Sequence, residues 1–342
     1  MKVSVILDPD TSPGEAKELG LLAEKLGLEA VWASNYPSSR DPFTTLAPLA
    51  LASSRIRMGP LVMTPWELHP YKLSKAILGL AELTAGRANV LVGGPTGVPA
   101  FMGIDPQQMV GRVRESAEIL RGARADTPLN YKGKHYQVWG YKPAWATAPP
   151  PQIWVAANKT QMMAMATRVA DGIMLGDMTP RRLAECLERF HAGIAAAGRT
   201  GAGVRLSSLI AWHVKTDARA SVAEARSQLA LRGMLEDWYV DSFLDPDECR
   251  LVQSKLPVFF KAYKNRSPVI DGVPEAILDK LVANLSLSGD EASVDRHIER
   301  LHELAAAGLT DVALKLHGDQ AHAVRLIGER VAPALARSHA RA

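Results

Sequence analysis

Residues 56–70 read IRMGPLVMTPWELHP, and this stretch decides the fold. Its apolar run, Ile56–Met63, reads as a buried strand that stops at Thr64-Pro65. His69-Pro70 then opens a helix, YKLSKAILGLAEL, with proline in the first turn, where its missing N–H has no helical partner to lose. A strand that ends in a proline-bracketed turn and feeds a helix is the mouth of a βα unit. In parallel α/β folds ligands bind at that mouth.

The same unit recurs on both sides. Upstream, Lys2–Leu7 and Glu29–Ser34 read as strands, with helices over Pro13–Leu26 and Asp41–Leu51. Downstream, the strands Arg87–Gly94, Gln152–Ala157, Asp171–Leu175, Val204–Val214 and Thr310–Leu316 alternate with helices. Those helices are expected over Pro106–Arg121, Thr160–Val169, Thr179–Ala197, Ala218–Leu235, Asp290–Ala307 and Ala321–Ala336. Eight strands in this alternation imply an α/β (β/α)8 TIM barrel, with residues 1–342 as one domain. A doubly wound open sheet would carry a glycine fingerprint after its first strand, whereas here that turn is Asp8-Pro9-Asp10. Two excursions break the rhythm: a β-rich insertion at 130–151, and a long, aromatic, proline-interrupted insertion at 236–285.

Composition narrows the function. The net charge is +4 over 342 residues, without basic runs interleaved with aromatics, so nucleic acid is not expected as a partner. A mild positive field favours an anionic ligand. The two cysteines, Cys186 and Cys249, support neither a disulfide framework nor a zinc site, and a cytoplasmic location is expected. No export signal is read in MKVSVIL, and no apolar run approaches the ~20 residues of a membrane span.

Several pieces together resemble one family: KLGLEAVWASNYP, RIRMGPLVMTPWELHP, ELTAGRANVLVGGP, VGRVRESAEILRG, PPPQIWVAANKTQMMAMATRVADGIMLGD and SGDEASVDRHIERLHELAAAGLTDVAL. In this order and spacing they are similar to the bacterial luciferase-like oxidoreductases. Within these the chain is most similar to the deazaflavin (coenzyme F420) dependent reductases and dehydrogenases, such as the methylenetetrahydromethanopterin reductase and glucose-6-phosphate dehydrogenase types. The resemblance implies hydride transfer between F420 and a small organic substrate. It places the cofactor ring at the barrel mouth against Leu61, Val62, Met63 and Thr64, with a cis bond at Leu61–Val62. Gly93, Gly94 and Pro95 would line the cofactor, and Ala157, Asn158, Lys159 and Thr160 would hold its phosphate at a helix N-terminus. A homodimer is also implied.

The departures from the family matter as much. Where relatives carry Asp-His after the second strand, this chain has Ser34-Asn35-Tyr36. Asn35 and Tyr36 are therefore the catalytic candidates, Asn35 through hydrogen bonds to the ring. Tyr36 is either a hydrogen-bonding phenol or an aromatic lid, and a phenol near pKa 10 is a weak base at neutral pH. The acid of some relatives in the first strand is Ile6 here, and none follows Gly93-Gly94-Pro95-Thr96-Gly97. Candidate replacements at strand ends are Asp8, Asp177, His213, Lys315 and His317, each of which also fits a structural role. Glu67 and His69 could border a pocket, while Arg112 and Arg114 read as surface residues first. Three other functions stay open: a reduced-FMN monooxygenase with a partner flavin reductase, a flavin-free NAD(P)H-dependent reductase, and a non-catalytic paralogue.

Overall fold

The computed structural model describes residues 1–94 and 97–339. Its strands are β1 (Lys2–Leu7), β2 (Ala30–Ser34), β3 (Arg57–Leu61), β4 (Asn89–Val92), β5 (Leu129–Lys132), β6 (Gln137–Tyr141), β7 (Gln152–Ala156), β8 (Gly172–Gly176), β9 (Arg205–Trp212), β10 (Ser286–Leu287) and β11 (Asp311–Lys315). Eight of them run parallel in the order β3-β2-β1-β11-β9-β8-β7-β4, and β10 adds a short parallel pairing to β9. The ring closes between β3 and β4 through bridges Met58–Ala88 and Met63–Val92. Met58 N donates to Arg87 O at 3.1 Å, Met63 N to Leu91 O at 2.8 Å, and Gly93 N to Met63 O at 3.1 Å. The fold is the (β/α)8 barrel that the alternation implies.

Closure depends on a missing side chain. A Cβ at Gly59 would lie 1.8 Å from the main-chain oxygen of Asn89, which cannot step aside. Gly59→Ala is expected to destabilise the protein by about 3 kcal/mol, the upper end of ordinary overpacking. Urea denaturation checks this, and an unchanged midpoint would mean that β3 and β4 part at no cost.

Side chains alternate between two cores. Ile6, Ala30, Trp32, Leu61, Leu91, Trp154, Met174 and Ala313 fill the barrel interior, and the opposite faces of the strands pack under the helices. At the N-terminal end Trp32 meets Trp154 edge-on at 5.9 Å. Arg205 stacks over Trp154 there and pairs with Asp311 and Glu29. These contacts close the N-terminal end of the barrel.

The helix start signals act as written: Ser12 caps Pro13–Lys25 in a capping box, and Thr179 caps Pro180–Ala196 with proline at its start. Three expected helices change. The helix over 106–121 begins only at Met109, after a separate turn at Val98–Phe101, because Gln108 adopts a left-handed conformation (φ 59°). The helix from Ala218 stops at Ser227 and continues as 3-10 turns, with Gly233, Met234 and Leu235 all at positive φ. The closing helix carries a π-turn at Ile327–Val331. The β-rich insertion expected at 130–151 takes the form of an antiparallel hairpin, β5-β6. Among the described residues no helix is long and apolar enough to cross a membrane.

Candidate active site

The eight strands deliver their C-terminal ends to one mouth. Its floor is apolar: Val62 after β3, Ala156 ending β7 and Leu209 in β9 cap the interior core and remain partly exposed. Gly93, after β4, lies between the first two. A Cβ there would stand 2.7 Å from Val62 Cγ1 and 2.9 Å from Ala156 Cβ, so only glycine lets the floor stay flat. At Gly94 a Cβ would meet Met109 Sδ at 2.7 Å. Pro95 and Thr96 lie outside the described residues.

The Leu61–Val62 peptide is cis, at the bond named from the sequence. Asn35 fastens it: its backbone N–H donates to Leu61 O at 2.6 Å, and its amide donates to Val62 O at 3.2 Å and to Glu67 Oε2 at 2.8 Å. The Asn35 amide thus holds the bulge rather than lying free beside a ring. Burial pushes the Glu67 carboxyl up, partly countered by the Asn35 hydrogen bond. Leu61 is enclosed in the barrel interior, and Met63 faces the helix layer. Thr64 is buried and accepts from Glu67 N at 3.3 Å. Of this quartet, Val62 alone keeps part of its surface at the mouth.

The turn after β7 is a junction. Ala157 is buried among the helices. Asn158 accepts from Gly176 N at 3.1 Å and donates to the Tyr239 phenol at 2.5 Å, while its carbonyl accepts from Arg189 at 3.0 Å. Its φ lies outside the left-handed region. Lys159 is exposed and pairs with Glu236 at 2.7 Å, and exposed Thr160 starts the helix Thr160–Val169. Tyr239 and Glu236 belong to the 236–285 insertion, so this turn anchors it. Thr179 Oγ1 bonds Ser242 at 3.0 Å, and Arg182 pairs with Asp241 while stacking over Trp238. The insertion also reaches β1, where Arg266 pairs with Asp10 at 3.2 Å. Its Phe259 and Tyr239 are buried, and Trp238, Phe243, Phe260 and Tyr263 pack against the same core.

The sector between β1, β9 and β11 is polar and buried. Lys315 donates to Leu7 O at 2.7 Å and to Ser34 Oγ at 2.9 Å, and lies 5.8 Å from the centroid of the Tyr36 ring. Burial pulls its amine down to about 7. Burial raises the Tyr36 phenol, against a smaller opposing pull from Arg232. Arg232 is itself buried and pairs with Asp177 at 3.3 Å, while Gly233 N donates to the other Asp177 oxygen at 3.1 Å. The carboxyl of Asp177 is raised by burial despite that cation. Asp8, His213, Lys315 and His317 stand at the C-terminal ends of β1, β9 and β11, and Asp177 stands at that of β8. Arg232 and Glu224, which pair with Asp177 and His213, stand near no strand end and in no motif, so no sequence signal announces them. Arg112 and Arg114 serve the fold: Arg112 bonds the Tyr136 hydroxyl at 3.1 Å, and Arg114 pairs with Glu115 and Glu118.

Comparison with known proteins gives this barrel a context. The family model described as luciferase-like monooxygenase matches residues 1–311. A 5,10-methylenetetrahydromethanopterin reductase of Archaeoglobus fulgidus is 26% identical over 340 residues, covering 98% of this chain and all of that one. An F420-dependent glucose-6-phosphate dehydrogenase of Microbacterium testaceum is 24% identical over 344 residues, covering 94% of each chain. The coenzyme F420 dependent tetrahydromethanopterin reductase structure from Methanopyrus kandleri superimposes with a TM-score of 0.80 at 19% identity, over 97% of this chain and 98% of that one.

Proposed function

The chain belongs to the luciferase-like monooxygenase family and is an oxidoreductase, and from that premise we propose that it moves a hydride between coenzyme F420 and a small organic substrate. The observation that carries this reading is the flat, partly exposed floor of Val62, Ala156 and Leu209, kept open by Gly93. It fits one face of a planar heterocycle. Such a deazaflavin supplies the two-electron redox chemistry, and the chain's own residues bind, orient and shield it.

In this proposal Val62 bears on the ring, and Asn35 keeps it in place through its two amide hydrogen bonds. The first N–H groups of the helix Thr160–Val169 suit the cofactor's phosphate, by dipole and hydrogen bonding together. Lys159 would exchange Glu236 for that anion. Because both side chains are largely exposed, the exchange costs little, as such surface pairs contribute about 0–1 kcal/mol. The insertion excludes water from the mouth, which favours hydride transfer over loss of the reducing equivalent.

Fluorescence titration of the purified protein with F420, FMN and NADPH tests the reading. F420 is expected to bind; FMN binding without F420 binding would instead favour the reduced-FMN monooxygenase that the family's name suggests. Ala156→Phe fills the floor and is expected to weaken F420 binding about a hundredfold, roughly 2.7 kcal/mol, with the circular dichroism unchanged. Undiminished affinity in that variant would move the ring elsewhere.

A further inference from the structure

Three strands end side by side beneath the insertion. Ile6 pairs in register with Lys315, and Lys315 with Ala211. Two residues further along each chain stand Asp8, His317 and His213. The two imidazoles stack face to face, with centroids 4.4 Å apart and planes 9° from parallel. Both are buried.

His213 is held from behind. Its Nδ1 lies 2.8 Å from Glu224 Oε2, on the helix that follows β9, and Lys215 Nζ holds the other carboxylate oxygen at 2.9 Å. A carboxylate accepts hydrogen bonds, so it fixes the proton of a neutral imidazole on Nδ1 and leaves a lone pair on Nε2. That Nε2 is buried without a protein partner, and so are Nε2 of His317 and Nε of Arg232. An unpartnered buried polar atom is costly, and a group of them asks for a polar guest. A base oriented by a carboxylate, with its far nitrogen unpartnered, is an arrangement suited to acid–base catalysis.

Burial first, and the nearby cations after it, disfavour the charged form of both rings. Burial lowers His213, with Glu224 opposing and Arg232 and Lys215 adding to the shift. His317 is held well below its usual value by burial and by His213, Lys315, Arg232 and Lys215, and Asp8 stands 3.8 Å from its Nδ1.

We propose that His213 is the acid–base residue of the reaction at this mouth, with Nε2 exchanging a proton with the oxygen of an alcohol or carbonyl substrate while Glu224 positions the ring. The inference rests on the hydride-transfer reading above. In the oxidative direction the carbinol C–H bond breaks and its electron pair leaves as hydride to the oxidised deazaflavin. The hydroxyl proton passes to His213 Nε2 and the C=O bond forms; reduction runs the same steps backwards. His213 would then fill the role left vacant where the second strand ends in Asn35-Tyr36.

Two measurements test this. In the cofactor-free protein with 15N-labelled histidine, NMR is expected to show His213 protonated at Nδ1 near neutral pH, with 2-propanol shifting its Nε2 resonance. Glu224→Gln is expected to scramble that tautomer. A proton on Nε2, or indifference to 2-propanol, overturns the proposal. With F420 and a panel of small alcohols and ketones, His213→Asn is expected to lower kcat at least about a hundredfold while KM changes little, and to remove one limb of the pH profile. An unchanged kcat also overturns it. Failure of the wild-type protein to bind F420 sinks the deazaflavin reading instead, and the NMR result still decides whether the dyad exists.

Discussion

Lys315→Met is expected to remove a stability slope of up to roughly 5 kcal/mol between about pH 7 and pH 10.5. Burial lowers the folded amine from 10.5 to about 7, and nearby Asp8 offsets this only in part. Between those values the unfolded chain binds a proton that the folded chain does not. The folded state therefore loses ground as pH falls through the window and gains it as pH rises. Below about 7 both states are protonated and the deficit stays constant; above 10.5 neither is, and it vanishes. Methionine carries no such charge, so the variant should be nearly flat across the window relative to wild type. Its hydrogen-bond losses are small, because Leu7 O still accepts from Ser34 Oγ at 2.8 Å. Chemical denaturation of both proteins at several pH values decides the matter. Parallel curves would mean that Lys315 keeps an ordinary amine.

The second large effect lies at Arg232. Arg232→Met leaves Asp177 buried without its cation, and losing one partner of a buried pair usually costs about 3–5 kcal/mol. Asp177 is held with φ at 46°, and its second oxygen accepts from Gly233 N, so it cannot easily turn to water. Thermal unfolding should show a fall of this size. The double variant with Asp177→Asn should recover much of it, since the stranded charge is then gone. Additive losses in the double variant would show that Arg232 acts through packing alone. Limited proteolysis should also find the 236–285 insertion easier to cut in the single variant, because Arg232-Gly233 leads directly into it.

The barrel was legible because its signals are local. Apolar strand runs, proline at helix starts and caps such as Ser12 and Thr179 act within a few residues, whatever the rest of the chain does. The cis bond after β3 was legible only by resemblance, since nothing in Pro60-Leu61-Val62 itself specifies it. Helix ends were read less well. Gln108, Met234 and Leu235 adopt left-handed backbone, which no residue of their type announces.

The site divides in the same way. The family resemblance names Val62, Gly93, Gly94 and the turn at Asn158, and each of them follows the C-terminal end of a strand. What their side chains do was not readable. Asn35 points to a bulge 27 residues on, and Asn158 reaches Tyr239 across 81 residues. Asp177 meets Arg232 across 55, and Lys315 meets Leu7 across 308.

Sequence alone thus determined the alternation of strands and helices and the closed barrel, because period and turn chemistry are properties of short segments. Tertiary structure alone decided which polar side chains are buried together, and hence which are neutral, paired or left open. Those properties depend on distance and desolvation between residues far apart in the chain, which no local pattern encodes.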